Sequence, residues 1–138
     1  ALRGAGSRAQ VVTLSNNASA GFIKSLGEHA RGVIVSQVFP YERSLSAPIV
    51  KEAVDLMRAK GGTEVSPAMM EGFAAAKVLV EGLRRAGPNP GRAQIISGLN
   101  SIRNFDIGGM EINYSPTDHT GLDYADLSII GPDGKFRR

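Results

Sequence analysis

Two short apolar segments, QVVTL at residues 10–14 and GVIVSQV at residues 32–38, decide the fold class. Both are rich in β-branched residues, so each predicts a buried β-strand. Between them, Ser19 is a suitable N-cap for a short helix that carries Ile23 and Leu26 on one face. A strand, a helix and a strand within about forty residues form a βαβ unit, which favours a parallel sheet and an α/β fold.

Three helical patterns follow this unit. The first ends at the two glycines of residues 61–62 and has one apolar face, formed by Val50, Ala53, Val54 and Met57. The second begins with Ser66 as its N-cap and Pro67 in the first helical position. Its apolar stripe is predicted to consist of Met69, Met70, Phe73, Ala76, Val80 and Leu83. The third opens at residues 89–90, Asn-Pro, and its inward residues are predicted to be Ile95, Ile96, Leu99 and Ile102.

The last part of the chain is rich in strand patterns. MEINY at residues 110–114 alternates apolar and polar residues, which predicts a half-buried strand. Residues 125–130 predict another strand. GPDG at residues 131–134 suits a type I turn, because proline is favoured at its second position and glycine at its fourth. The chain is therefore expected to finish with a β-hairpin.

The composition narrows the classes of function. The 138 residues are 42% hydrophobic and 21% charged, as in a soluble globular domain. The net charge of +3 comes from scattered basic residues without a basic stripe, so nucleic acid is not an expected partner. The absence of cysteine excludes a disulfide framework and a thiolate metal site. No metal, cofactor or catalytic residue is expected.

Three parts of the sequence, taken in order, carry a family resemblance. They are ARGVIVSQ at residues 30–37, EGFAAAKVL at residues 71–79, and the tail with FDIGG at 105–109, YSPTDHTG at 114–121 and DLSIIGPDGKF at 126–136. The chain resembles the C-terminal portion of the branched-chain-amino-acid-type substrate-binding proteins of ABC importers, also called extracellular ligand-binding receptors. Their fold is the type I periplasmic binding fold, so the resemblance implies part of that fold: a parallel sheet flanked by helices, with a C-terminal hairpin.

The resemblance also implies how the chain is divided between the two lobes of that fold. Residues 1–39 correspond to a βαβ part of the C-terminal lobe, and residues 40–104 to helices that pack on the N-terminal lobe. Residues 105–138 correspond to the strands that return to the C-terminal lobe. Most strands of the N-terminal lobe are expected to be missing. Residues 1–6, ALRGAG, resemble the end of a helix, so a signal peptide is expected to lie outside this sequence. The location that the resemblance implies is the periplasm.

The implied function is that of a non-catalytic solute-binding component. Such a protein holds an amino acid or a small organic acid between its two lobes and delivers it to a membrane permease. An alternative from another class remains: a cytoplasmic α/β enzyme or a ligand-sensing regulatory domain that uses a related fold. A signal peptide or a neighbouring permease gene would distinguish the two.

The predicted ligand-binding loop is Ser15, Asn16, Asn17 and Ala18, between the first strand and its helix. Ligands of open parallel sheets bind at the carboxyl ends of the strands. Asparagine supplies both donors and an acceptor, and the helix N-terminus beyond suits a carboxylate. In amino-acid-binding members this loop carries an acidic residue, whereas residues 10–24 contain none. An organic acid is therefore as good a candidate as an amino acid. Alternatively, these residues are only loop and cap residues.

Two further residues are predicted to contact the ligand from elsewhere. Tyr41, after the hinge strand, is placed to stack on a ligand, although it also suits a packed proline turn. Met69 occupies a position where relatives often have an aromatic residue facing the ligand. Asp118 and His119 are expected to belong to a hydrogen-bonded return turn rather than to a catalytic pair. Because the stripe of the second helix normally covers the missing sheet, the chain is expected to form a homo-oligomer by domain swapping.

Overall fold

The computed structural model describes residues 2–137, which contain four α-helices and six β-strands. Ala1 and Arg138, which the predicted segments 1–39 and 105–138 include, lie outside them. The helices are α1 (Ala20–Leu26), α2 (Pro48–Ala59), α3 (Pro67–Ala86) and α4 (Arg92–Asn100). The strands are β1 (Val12–Thr13), β2 (Ile34–Gln37), β3 (Phe105–Asp106), β4 (Glu111–Ile112), β5 (Asp126–Ile130) and β6 (Phe136–Arg137).

The main sheet has the strand order β1-β2-β5-β6. β1 and β2 are parallel, which confirms the prediction for the βαβ unit. β5 joins β2 antiparallel and β6 joins β5 antiparallel, so the complete sheet is mixed. The terminal hairpin is confirmed, and it is closed by a hydrogen bond of 2.8 Å from the Gly131 N–H to the Lys135 carbonyl oxygen. Helices and a mixed sheet form an α/β structure, as the sequence predicts.

One face of the main sheet forms a core with α1. Val35, Ile130 and Phe136 are buried there, and Ile23 and Leu26 of α1 pack against them. The predicted cap of α1 is present: the Ser19 hydroxyl oxygen accepts a hydrogen bond from the Phe22 N–H at 3.2 Å, satisfying a donor that a helix N-terminus leaves free.

The prediction that the first strand is buried is wrong for the face that points away from α1. Val12 is 60% exposed and Leu14 is 68% exposed. Successive side chains of a strand point to opposite faces, so both residues lie away from α1. β1 is also an edge strand of the main sheet.

A second core lies among α2, α3, α4 and the β3–β4 hairpin. Its buried residues are Ile49, Val50, Ala53, Met70, Ala74, Val78, Ile102, Ile107 and Ile112. Ser66 caps α3 as predicted, since its hydroxyl oxygen accepts from the Met69 N–H at 3.3 Å. Ile107 and Ile112 belong to this helical core and not to the main-sheet core, although segment 105–138 was assigned to the C-terminal lobe. That lobe assignment remains a prediction.

The apolar stripe of α3 was predicted only in part. Met70 is fully buried, and Ala74 and Val78 on the same stripe are buried as well. Met69 and Val80 are about half exposed, and Ala76 and Leu83 are also exposed. The helix carries two apolar stripes, and sequence periodicity alone does not say which one its local partners cover. In this chain the helical core covers the stripe that contains Met70.

The predicted start of the third helix is two residues too early. α4 begins at Arg92 with Gly91 as its N-cap, and residues 89–90 remain outside the helix. Ile102 is fully buried as expected. Ile96, which was predicted to face inward, is exposed.

The turn between β3 and β4 predicts a dependence of stability on pH. The Asp106 carboxylate accepts hydrogen bonds from the Gly108 and Gly109 N–H groups at 2.8 and 2.6 Å, which lower the pKa of Asp106 below its ordinary value of 3.8. A lowered pKa means that this stabilisation is present above 3.8 and is lost as the pH falls through the folded-state value. We expect the Tm difference between the wild type and Asp106→Asn to shrink as the pH falls below 3.8. A constant difference across thermal scans from neutral to acid pH would contradict this.

Candidate functional site

The segment Ser15–Asn17 forms a 3₁₀ turn directly after β1. The Asn17 side-chain amide donates to the Thr13 hydroxyl at 2.7 Å, and the Ser15 N–H donates to the Ser36 hydroxyl oxygen at 3.1 Å. The turn is thereby tied to both parallel strands, at the sheet edge where their carboxyl ends lie. Asn16 at the centre of the turn is exposed, so its amide is accessible to a solute.

Ala18 has no exposed surface and belongs to the main-sheet core. Its N–H donates to the Ser15 carbonyl oxygen at 2.8 Å. The methyl group therefore anchors the turn, and a side-chain contact from Ala18 to a solute is not possible in this arrangement. The ligand contact predicted for Ala18 could therefore involve only its backbone carbonyl oxygen.

Tyr41 lies against the core of the main sheet. Its hydroxyl donates to the Phe136 carbonyl oxygen at 3.1 Å, and its ring packs on the cluster that contains Val35 and Ile130. This is the packed arrangement that the sequence left open as the alternative to stacking on a ligand.

Met69 is in the first turn of α3, where it is 49% exposed. α3 approaches the Ser15–Asn17 turn to within 8 Å between Cα atoms. The structure therefore brings together the predicted loop and the helix that carries Met69. Tyr41, in contrast, is directed to the sheet core.

Sequence analysis missed a polar group at the same edge of the sheet. Gln37, at the carboxyl end of β2, is buried, and its side-chain amide donates to the Ser128 hydroxyl at 2.6 Å. Gln37 also pairs with Asp126 in the antiparallel register of β2 and β5. Asp126 thus places a carboxylate on this edge, whereas the loop itself contains none. Gln37 and Asp126 are about ninety residues apart in the sequence, and the register of their strands depends on tertiary packing. No neighbouring residue therefore indicates this pairing.

The Asp118–His119 pair lies in a hydrogen-bonded turn. Asp118 accepts from the Thr120 N–H at 2.8 Å, a bond that lowers the pKa of Asp118. The His119 Nε2 atom lies 2.6 Å from the Asn100 side-chain oxygen, and the His119 ring meets the Tyr114 ring edge-on at 5.5 Å between centroids. Asp118 and His119 thus have different hydrogen-bond partners and are not arranged as an acid–base pair. Both belong to a hydrogen-bonded turn.

Residues 2–137 contain neither a cluster of metal ligands nor a membrane-spanning helix. Within this range no three His, Asp or Glu side chains converge in a way that would hold a metal ion. The helices of the same residues include none with the length and apolar character needed to cross a bilayer.

Comparison with protein families matches residues 1–128 to the family described as periplasmic binding protein. No curated protein matches the chain. Among solved structures, a possible leucine/isoleucine/valine-binding protein from Rhodopirellula baltica SH 1 is similar over 99% of this chain and 38% of its own, with 26% identity and a TM-score of 0.85.

Two other solved structures are similar to the chain. A substrate-binding periplasmic protein from Ralstonia solanacearum is 30% identical over 97% of this chain and 39% of its own, with a TM-score of 0.72. An extracellular ligand-binding receptor from Verminephrobacter eiseniae ef01-2 is 27% identical over 99% of this chain and 39% of its own, with a TM-score of 0.78. The chain thus spans less than half the length of the proteins it resembles.

Proposed function

The chain belongs to the periplasmic binding protein family, and from that membership we propose that it forms part of the solute-binding component of an ABC importer. In the complete protein, two lobes close on a small solute by a hinge motion and present it to a membrane permease. The complete protein works in the periplasm. The similar proteins are described as binding proteins and receptors, which supports a non-catalytic role.

The observation that carries this proposal is the Ser15–Asn17 turn at the carboxyl edge of the parallel pair. Its accessible amide, on Asn16, is held by a turn that hydrogen bonds fix to two strands. A binding group on a fixed support loses little conformational entropy when a solute arrives. α3 lies beside the turn, which supports Met69, in its first turn, as the apolar contact of the proposed site.

The solute class we propose is an amino acid or a small organic acid. Asparagine amides donate to a carboxylate, which both classes carry. The description of the Rhodopirellula baltica protein favours a branched-chain amino acid. The loop itself lacks an acidic partner for an ammonium group, which favours an organic acid.

A thermal-shift screen of the complete protein with amino acids and small organic acids tests the proposal. A solute that binds only the folded state raises its stability by RT ln(1 + [L]/Kd), so a true ligand at about 100 times its Kd adds about 2.7 kcal/mol. We expect members of one of these two classes to raise the Tm. No shift with either class would contradict the proposed function.

Asn16→Ala and Asn17→Ala should each weaken solute binding in the complete protein. Losing a hydrogen bond to a charged ligand group costs about 1.5–3 kcal/mol, roughly tenfold or more in Kd. Asn16→Ala is the cleaner variant, because Asn17 also bonds to Thr13 and its loss should lower the Tm slightly. Gln94→Ala, which removes an exposed amide on α4, is the matched control. Unchanged Kd in both variants by calorimetry would leave the loop with only a capping role.

The 138-residue chain alone should bind the same solute weakly or not at all. It offers one side of the cleft, so a bound solute keeps much of its surface in water and each hydrogen bond exchanges with solvent. Calorimetry with the solute that stabilises the complete protein measures this directly. Equal affinity of the chain and the complete protein would show that the chain contains the whole site.

A further inference from the structure

The face of the main sheet that packs against α1 becomes polar at the carboxyl ends of β1 and β2. Val35 on this face is fully buried in the main-sheet core. Two residues further along β2 the same face carries Gln37, and the residue opposite Gln37 on β5 is Asp126. Directly opposite residues of an antiparallel pair point to the same face. Polar side chains therefore border the core at the edge where the Ser15–Asn17 turn lies.

Two uncharged donors fix the orientation of the Asp126 carboxylate. Its Oδ1 atom accepts a hydrogen bond from the Leu127 N–H at 2.7 Å, and its Oδ2 atom lies 3.4 Å from the Tyr124 hydroxyl. A carboxylate has about four acceptor sites, so these two bonds leave capacity for a further donor. Because Asp126 is half-buried, its charge attracts a nearby cation more strongly than a fully solvated carboxylate would.

The spacing between the turn and Asp126 suits a small solute with two charged groups. β1 and β5 lie on either side of β2, so their backbones are two strand spacings apart, roughly 10 Å. The bond from the Ser15 N–H to the Ser36 hydroxyl oxygen draws the turn towards β2. Two hydrogen bonds of about 2.8 Å, one from each side, take up much of the remaining gap. A carboxylate and an ammonium group on adjacent carbon atoms can then meet the Asn16 amide and Asp126 at the same time.

Starting from the proposed function, on which this inference rests, we propose that the Asp126 carboxylate binds an ammonium group of the solute while the Asn16 amide binds its carboxylate. The solute is then an α-amino acid and not a simple organic acid. The lack of an acidic residue in residues 10–24 fits this arrangement, because a carboxylate in the turn would repel the carboxylate of the solute. A solute without an ammonium group would bring its own negative charge towards Asp126, so the same residue also selects against simple acids.

Paired solutes test this proposal in the complete protein. Each standard amino acid is compared with its 2-hydroxy acid, which has the same skeleton with a hydroxyl in place of the ammonium group. A thermal-shift screen selects the pair whose amino acid raises the Tm most, and calorimetry gives both Kd values. Asp126→Asn removes the charge but keeps a side-chain oxygen for the Leu127 N–H, and Asp126→Ser is the second variant if Asp126→Asn does not fold. Asp123→Asn is the matched control, because it removes the same charge from a nearby exposed position.

We expect the wild type and Asp123→Asn to bind the amino acid about tenfold or more tightly than the 2-hydroxy acid, and the Asp126 variant to lose this preference. The ratio of the two Kd values is the readout, because a loss of binding-competent protein changes both by the same factor. An unchanged ratio in the Asp126 variant would overturn the proposal, and so would a wild type that prefers acids without an ammonium group. The proposed function would survive either result. No Tm shift with amino acids or organic acids would instead contradict the proposed function, and the role of Asp126 would be rejected with it.

Discussion

Replacing Gly98 by alanine is expected to destabilise the 138-residue chain by about 3 kcal/mol, because it adds a methyl group where two helices touch through their backbones. Gly98 of α4 is buried against α3. A Cβ atom there would clash with the Gly82 carbonyl oxygen and lie 3.1 Å from the Ala86 backbone nitrogen. Neither backbone atom can move without shifting α3, so the two helices must separate.

The matched control for Gly98→Ala is Gly21→Ala in α1. A Cβ atom on Gly21 would meet only the Ser19 hydroxyl oxygen at 3.9 Å, an ordinary contact. A surface substitution of this kind should change stability by no more than about 0.5 kcal/mol. Urea unfolding of both variants at one protein concentration measures the difference. Equal urea midpoints for Gly98→Ala and Gly21→Ala would show that α4 does not pack on α3 through the contact of Gly98 with Gly82.

The elements that sequence analysis predicted correctly are those marked by local chemistry. Ser19 and Ser66 are followed by helices that they cap, and residues 131–134 form the closing turn of the hairpin. Helix caps and β-turns depend on the side chains of a few neighbouring residues, so the local sequence is sufficient to predict them. The parallel pairing of β1 and β2 is similar, because the crossover through α1 between two consecutive strands favours it.

The elements that sequence analysis missed depend on what lies across the fold. The pairing of Gln37 with Asp126, which places a carboxylate at the carboxyl end of β2, follows from a register that no neighbouring residue specifies. The same holds for Val12 and Ile96, whose exposure depends on which faces find a partner. The candidate loop was placed correctly at the end of β1, but the burial of Ala18 and the inward packing of Tyr41 needed the tertiary structure.

The second apolar stripe of α3 leads to the last prediction, which concerns assembly of the 138-residue chain alone. Phe73, Ala76 and Val80 line a groove between α2 and α3 that Leu56 and Phe105 complete, and the charged residues Lys77, Glu81 and Arg84 also line it. Val80 is 56% exposed there. Burying an apolar side chain of this size contributes about 1.5–3 kcal/mol, so several together favour association strongly.

The two cores of the chain make exchange between copies feasible. The main-sheet core and the helical core are separate clusters, and the chain passes between them around Pro40 and again between Leu122 and Asp126. Opening those connections lets the helical part of one copy pack on another, and domain swapping of this kind is a low-cost route to a dimer. We therefore expect the chain to be a dimer or a higher oligomer by light scattering.

Val80→Asp should shift the chain towards monomer, because a charge in the groove would have to be desolvated on association. Ile96→Asp is the matched control: Ile96 is similarly exposed, on α4 and outside the groove, so this variant should remain associated. A monodisperse monomer for the wild type at high micromolar concentration would refute the prediction. Equal masses for Val80→Asp and the wild type would instead place the contact elsewhere, and Leu127→Asp, on the exposed face of β5, would test the next surface.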